Sequence, residues 1–227
     1  MSRRQAEEEI LSGKVLLNGS VAQITDRIIP SVDRVEYKGK LVLPLTEEKL
    51  YILLNKPRGY ICSLKDERGR KCAVSLVRKL TDRRVWTVGR LDCDSDGLII
   101  LTNDGELTNL LTHPRHEIPK IYAVRIAGAV SNETLKKLSS PLVIDGYPIM
   151  PVKVCVISKD TDSTLMEMTL YEGRNRQIRK MCELCSLKIL SLTRTAIGDL
   201  TLDGLRTGEC RFLEAAEVQK LYGGHNA

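Results

Sequence analysis

An arginine and three aspartates stand close together near the middle of the chain, where they could perform acid–base or nucleophilic chemistry. These residues are Arg90, Asp92, Asp94 and Asp96, and a glycine lies at each end of the group. β-Branched and aromatic residues precede the group and a short apolar run follows it, which predicts a loop held between two strands. Because three carboxylates this close repel one another, we expect at least one to have a cationic partner elsewhere in the chain.

The same aspartates also suggest a calcium site. Asp92, Asp94, Asp96 and Gly97 match the first half of a calcium-binding loop, in which oxygen ligands alternate along the chain. Such a loop requires a bidentate glutamate where this chain has Asn103, and its flanks should be helices rather than strands. We therefore rank calcium below catalysis and predict no metal site. An acidic surface turn is a third alternative, although such a turn would not require the arginine.

The composition is that of an ordinary water-soluble protein. The 227 residues are 42% hydrophobic and 28% charged, enough for one large domain or for a small and a medium one. The seven cysteines are spread along the chain, and their odd number favours reduced thiols in the cytoplasm. No apolar run approaches the length that spans a bilayer, so we predict no association with a membrane.

Positive charge is concentrated just before the aspartate loop. The net charge of the whole chain is +6, whereas residues 49–90 alone hold twelve Lys and Arg against three Asp and Glu. A basic face beside a candidate site indicates a polyanionic partner, and nucleic acid is the commonest one. Charge scattered over a solvated surface would not be expected to gather in this way.

The first 43 residues predict a small unit made of a helix and short strands. Residues 2–11 have helical spacing, with Ser2 as the cap, and Asn18-Gly19 between two apolar runs is a strong hairpin signal. Residues 34–38 alternate as a further strand. Residues 44–49 are mixed and polar, and we interpret them as a linker to a second domain over residues 50–227.

Two segments of the second domain bring cations together. Lys56 and Arg58 flank a proline in a turn after a buried strand, and we expect the turn to expose both side chains. Farther on, Asn175 is predicted to cap a helix that runs through Leu184. Four cations lie near the start of that helix, namely Arg174, Arg176, Arg179 and Lys180. Because cations there oppose the helix dipole, we expect an anion close by.

Lys120 and Tyr122 lie on a further strand, predicted from the alternation of residues 118–126. From the pattern alone, Tyr122 is more easily a packed core residue than part of a site.

These segments resemble, in order along the chain, motifs of the RsuA/RluB/RluE/RluF family of rRNA pseudouridine synthases. The central loop is similar to the family's Gly-Arg-Leu-Asp-x-x-Ser-x-Gly-Leu, and residues 172–181 are similar to its third motif, as Glu-Gly-Arg-Asn-Arg-Gln-Ile-Arg-Lys-Met. Lys-x-Tyr at 120–122 and Lys-Pro-x-Gly at 56–59 match shorter motifs. Residues 1–43 resemble the second half of an S4 RNA-binding domain, without the helix that usually comes first.

The resemblance implies an α+β fold. The catalytic domain, residues 50–227, would have the mixed, largely antiparallel sheet of the pseudouridine synthases. It would follow a partial S4-like unit of helix and β-hairpins over residues 1–43, and the linker at 44–49 would join the two.

The resemblance also implies an activity, the isomerisation of uridine to pseudouridine in ribosomal RNA, without a cofactor. Asp92 would be the nucleophile or base, Arg179 would ion-pair with it, and Tyr122 would stack on the uracil. Arg90 would fill the space left by the flipped-out nucleotide. Further RNA contacts would come from Lys56, Arg58, Lys120, Arg174, Arg176, Gln177 and Lys180. The expected partner is ribosomal RNA of the large subunit, free or in an assembly intermediate, bound by a monomer; the alternative is an rRNA-binding assembly factor without catalysis.

Overall fold

The chain folds as two units, which are described separately. The structure is a computed structural model that describes residues 1, 3–43 and 47–223. The units comprise Met1–Glu48 and Lys49–Ala227. The predicted cap Ser2 and the first three residues of the predicted linker, 44–46, lie outside the described residues.

The first unit is a helix followed by a four-stranded antiparallel sheet. The helix is α1 (Arg3–Leu11), and the strands are β1 (Val15–Leu17), β2 (Ser20–Val21), β3 (Val35–Tyr37) and β4 (Lys40–Val42), in the order β2-β1-β3-β4. Asn18 and Gly19 have φ of 51° and 85°, the two positive values that a tight hairpin between twisted strands requires. The Tyr37 hydroxyl donates to Glu9 at 2.8 Å and ties β3 to α1. The predicted hairpin is therefore confirmed.

The second unit is organised around one large sheet. Its strands are β5 (Tyr51–Lys56), β6 (Trp86–Thr87), β7 (Asp96–Thr102), β8 (Lys120–Ala127), β9 (Val143–Ile144), β10 (Tyr147–Pro148), β11 (Lys153–Lys159), β12 (Ser163–Leu170), β13 (Ile189–Ile197), β14 (Leu200–Thr201) and β15 (Cys210–Phe212). The main order is β11-β12-β8-β13-β7-β5-β15, with β6 paired to β7 and β14 to β13, while β9 and β10 form a separate hairpin. Within the described residues, β7 and β13 form the one parallel pair.

Four α-helices flank this sheet: α2 (Gly105–Thr112), α3 (Asn132–Ser139), α4 (Gln177–Leu184) and α5 (Ala215–Gly223). The Ser131 hydroxyl caps α3 by accepting from the Thr134 amide at 3.1 Å. The prediction that Asn175 caps α4 is wrong, because the helix begins two residues later and its cap position is Arg176. No helix among the described residues is both long enough and apolar enough to cross a bilayer.

Strand β7 explains why the loop before it is held firmly. Leu98 and Ile100 pack into an apolar cluster with α2 and α5, whereas Ile99 and Leu101 pack into a second cluster on the opposite face, with the short 3₁₀ helix Ala73–Val77. All four side chains are fully buried. A strand buried on both faces cannot shift easily, since either face would lose close packing. The predicted α+β class with a mixed, largely antiparallel sheet is confirmed.

Candidate active site

Three neighbouring strands bring the predicted site residues together. Arg194 on β13 pairs with Gly97 on β7 and, on its other side, with Tyr122 on β8. The aspartate loop leads directly into β7, so the parallel pairing of β7 with β13 places the loop beside Tyr122. This pairing joins residues almost a hundred positions apart in the sequence.

Gly97 makes that pairing possible. Its φ is +108°, outside the conformations that L-residues ordinarily adopt, and a Cβ at this position would lie 2.3 Å from the Arg194 carbonyl oxygen. Because the obstacle is main chain rather than a flexible side chain, it cannot move aside. The glycine after the aspartates is therefore required for β13 to approach the loop.

Lys56 supports the loop from within the protein. It is 0% exposed, and its Nζ donates to the carbonyls of Ser95 at 2.6 Å and Pro57 at 3.0 Å. Burial lowers the pKa of this lysine. The prediction that the turn exposes Lys56 to bind RNA is wrong, because β5 continues through the lysine and carries it into the core.

Asp92 lies between two arginines from the segment that begins α4. Its Oδ2 is 3.4 Å from Arg176 Nη1 and 3.8 Å from Arg179 Nε. The expected contact with Arg179 is thus present, although Arg176 is the closer cation. Arg179 Nε is buried without a hydrogen-bond partner among the described residues. Two guanidinium groups at this range hold the Asp92 carboxylate in place by electrostatic attraction.

The other two aspartates hold the arginines and the turn in place. Arg179 Nη2 lies 3.1 Å from Asp94 Oδ1 and also donates to the Asp94 carbonyl and to Ser95 Oγ. Asp96 accepts from Arg58 Nε at 3.1 Å and from the Thr193 hydroxyl. The prediction that the aspartates have cationic partners is confirmed. These contacts disfavour the calcium alternative, since the carboxylates face arginines instead of a common centre.

A cavity of about 380 Å³ opens beside Asp92. It is large enough for a nucleoside, since small-molecule sites usually measure about 300–1,000 Å³. Its charged and aromatic lining consists of Arg90, Asp92, Lys120, Tyr122, Arg174, Arg176 and Arg194. A narrower recess of about 70 Å³ shares part of this lining and is also lined by Arg179.

Tyr122 is both a packing residue and a cavity residue. Its half-buried side chain packs against the cluster that contains Ile99 and Leu101 and against a further cluster that contains Val124 and Met168, yet it also lines the cavity. Its packing fits the interpretation of Tyr122 as a core residue, and its place in the cavity lining fits the expectation of a site residue. Arg90 is exposed at the cavity, and its side chain has neither a hydrogen bond nor an ion pair with the residues that the structure describes.

Gln177, one of the residues expected to contact RNA, is buried. It is 3% exposed; its amide nitrogen donates to Glu172 Oε1 at 3.1 Å and its amide oxygen accepts from the Arg174 main chain. Glu172 is also buried and accepts from Arg174 Nε and the Met150 amide. Gln177 also lines the narrower recess, and its contact with RNA stays a prediction, while both ends of its amide are used to shape the turn before α4.

The remaining predicted cations lie at or near this site. Arg174 and Arg176 are exposed at the cavity and Lys120 is half-buried in it. Arg58 is exposed beside Asp96, and Lys180 lies outside the cavity lining, in an ion pair with Asp145. For these five residues RNA contact remains a prediction.

Sequence reasoning missed Arg194. This side chain is 4% exposed; its Nε donates to the Leu98 carbonyl at 2.8 Å, and its Nη2 has no hydrogen-bond partner among the described residues. The segment that begins at Arg194 resembles a pattern of the family, but that resemblance assigned the arginine no role, and it lies in an ordinary alternating strand. Only the pairing of β13 with β7 and β8 places it at the cavity.

This chain is similar to known proteins in sequence and in fold. The sequence model of the RNA pseudouridylate synthase family matches residues 50–184. The chain is 38% identical to ribosomal large subunit pseudouridine synthase B of Bacillus subtilis (97% of this chain, 90% of that protein), and 38% identical to an uncharacterized RNA pseudouridine synthase of Aquifex aeolicus (97% and 88%). The solved structure of a pseudouridylate synthase superposes on this chain with a TM-score of 0.71 at 28% sequence identity. The superposition covers 97% of this chain and 94% of the solved chain. The chain belongs to the RNA pseudouridine synthase family.

Proposed function

We propose that this enzyme isomerises a uridine in ribosomal RNA of the large subunit and that Asp92 acts on the ribose of that nucleotide. The observation that carries the proposal is the position of Asp92: its carboxylate lines a nucleoside-sized cavity between Arg176 and Arg179, with Tyr122 in the same lining. A residue that served only to bind RNA would be a cation, since an aspartate repels phosphates.

The reaction rearranges bonds within one nucleotide. The bond between C1′ and N1 breaks, the base turns, and a new bond joins C1′ to C5. N1 gains a proton and C5 loses one, so no atom is gained or lost. An aspartate carboxylate can attack C1′ or remove a proton from the sugar, and either route starts from the carboxylate that the two arginines hold beside the cavity.

The target base must leave its stack before Asp92 can reach the sugar. Arg90 is suited to take the vacated place, since it is exposed at the edge of the cavity and has no partner among the described residues. The half-buried ring of Tyr122 offers a face on which the uracil can stack, and its hydroxyl is available to help remove the C5 proton.

Ribosomal RNA as the substrate is supported by the names of similar proteins and by charge. Besides the Bacillus subtilis protein, a chloroplastic Arabidopsis thaliana protein named as a putative ribosomal large subunit pseudouridine synthase is 33% identical. Residues 49–90 carry twelve cations against three acids, which favours a polyanion. We further propose that the first unit is a partial S4-like RNA-binding domain and that the enzyme acts in the cytoplasm as a monomer, on free rRNA or an assembly intermediate.

Mapping of pseudouridines in rRNA tests this proposal. Cells that lack the gene are complemented with the wild type, with Asp92→Asn, or with Asp82→Asn as a matched exposed control. We expect one large-subunit site to be lost and to be restored by the wild type and the control but not by Asp92→Asn. Restoration by Asp92→Asn would refute the role of Asp92, and an unchanged pseudouridine map would favour a non-catalytic assembly factor.

A further inference from the structure

Two cations that are buried or half-buried line the cavity without an ion-pair partner among the described residues. Lys120 lies near one end of β8, and Arg194 lies on the adjacent β13, where it pairs with Tyr122. Both line the cavity. Neither side chain forms an ion pair with a carboxylate of the described residues, which distinguishes them from Arg58, Arg174, Arg176 and Arg179.

The arrangement is unfavourable in the empty protein. A guanidinium that is 96% withdrawn from solvent and has an unpaired Nη2 loses hydration without full compensation. The nearby Lys120 adds repulsion, and burial together with Arg194 lowers the pKa of Lys120 to about 8. Local conflicts with stability of this kind are expected at functional sites.

We propose that Arg194 and Lys120 bind the uracil after it separates from the ribose and stabilise its negative charge. This inference rests on the proposed function. When the C1′–N1 bond breaks, its electron pair stays on the base, and the resulting anion is shared among N1, O2 and O4. C1′ is meanwhile held by Asp92 or has lost a neighbouring proton. C5 then bonds to C1′ while the bond between C1′ and Asp92 breaks, or while the removed proton returns to the sugar. The charge has disappeared once C5 has released its proton and N1 has accepted one.

The base suits this pair better than a backbone phosphate does. The cavity walls near the two cations include the apolar side chains of Val88, Leu111 and Ile197, which fit a flat heterocycle. Exposed cations at the same cavity, Arg174 and Arg176, are better placed for phosphates, which stay hydrated at the protein surface. Charge that develops in a dry, preorganised site is also where fixed donors have their largest effect.

Single-turnover kinetics on saturating rRNA test the proposal. We expect Lys120→Met and Arg194→Gln each to slow pseudouridine formation by about 100-fold, as loss of one donor to a developing anion usually does. The dissociation constant for rRNA should stay within about threefold of the wild type, measured in an Asp92→Asn background. A weaker affinity and a shallower salt dependence, with an unchanged rate at saturation, would assign the pair to a phosphate and overturn the proposal.

The pH profile separates a chemical role of Lys120 from a structural one. The charged groups that face Lys120 across the cavity are Arg194 on β13, Arg90 and Asp92 on the loop, and Arg174 and Arg176 before α4. If Lys120 must be protonated, the wild-type rate falls above about pH 8, and Lys120→Arg keeps the rate at higher pH because arginine stays charged. An identical alkaline limb in Lys120→Arg would contradict the proposal.

A substrate with a better leaving group provides a second test of the proposal. Fluorine at C5 withdraws electrons and stabilises the uracil anion by itself. With 5-fluorouridine at the target, C5 has no proton to release, so the rearranged nucleoside keeps its fluorine and water adds across the bond between C6 and N1. We expect both variants to lose less rate relative to the wild type, measured by chromatography of this C-linked nucleoside. An equal loss on both substrates would overturn the proposal. Failure of the proposed function looks different, because then the wild type forms no pseudouridine or Asp92→Asn remains active.

Discussion

Substitution of Gly97 by alanine should separate β7 from β13 and disturb the site that depends on their pairing. The added Cβ would meet main-chain atoms of Arg194 at 2.3, 2.6 and 2.9 Å, and the φ of +108° is itself strained for alanine. Overpacking costs about 1–3 kcal/mol and a strained backbone about 1–3 kcal/mol more. We therefore expect Gly97→Ala to lose about 3–5 kcal/mol of unfolding free energy, or about 10 °C in Tm for a chain of this size.

Gly128→Ala is the matched control for this prediction. Gly128 also has a positive φ, +73°, but a Cβ there would meet no atom within 4 Å. The control carries the conformational strain alone, which we expect to cost about 1 kcal/mol. Urea denaturation gives both values, and pseudouridine formation reports the effect on the site. If the two variants differ by less than about 0.5 kcal/mol, the close approach of β13 does not make Gly97 necessary.

Three further predictions concern buried charged groups. The pKa of Lys120 is lowered to about 8, so between that pH and 10.5 the unfolded chain binds more protons than the folded one and stability rises with pH. Lys120→Met should therefore stabilise the protein by about 1–3 kcal/mol at pH 7. In thermal melts, this variant should also show a smaller rise of stability with pH than the wild type. Lys56→Met leaves two main-chain carbonyls without their donor and should lower the free energy of unfolding, measured in urea, by about 1–3 kcal/mol. The exposed Lys65→Met should leave it unchanged. Equal urea midpoints for the two variants would refute the supporting role of Lys56. Burial favours the neutral acid of Asp104, but hydrogen bonds from Tyr222, Tyr51 and Lys49 outweigh it and lower the pKa to about 2, so the folded protein loses this stabilisation as the pH falls from 3.8 towards 2. Asp104→Asn should be less stable than the wild type at pH 7 and less sensitive to acid over that range. The same change of melting temperature with pH in both proteins would contradict this.

Features that depend on neighbouring residues could be predicted from the sequence. The Asn18-Gly19 hairpin and the Ser131 cap are decided within a few residues, by positive φ in one case and by a hydroxyl near free amides in the other. Charge repulsion among the three aspartates correctly indicated cationic partners. The family motifs then added the order of the segments and the fold class.

Features that depend on pairing across the sheet could not be predicted in this way. Lys56 looks like an exposed turn residue until β5 is seen to continue through it. The residues around Arg194 do not by themselves indicate that its side chain lines a cavity. Its place in the cavity follows from a parallel pairing of β13 with β7, which joins distant segments. Gly97 is the residue after the aspartates that this close approach requires to be glycine.

Release of hydrogen from C5 of uridine tests the central claim most directly. The purified protein is incubated with large-subunit rRNA that carries tritium at C5 of uridine, and tritium in the solvent is counted. We expect release by the wild type and none by Asp92→Asn, although both bind the RNA with similar affinity. Release by Asp92→Asn at the wild-type rate, or no release by the wild type, would contradict the assignment of Asp92 as the catalytic group of a uridine isomerase.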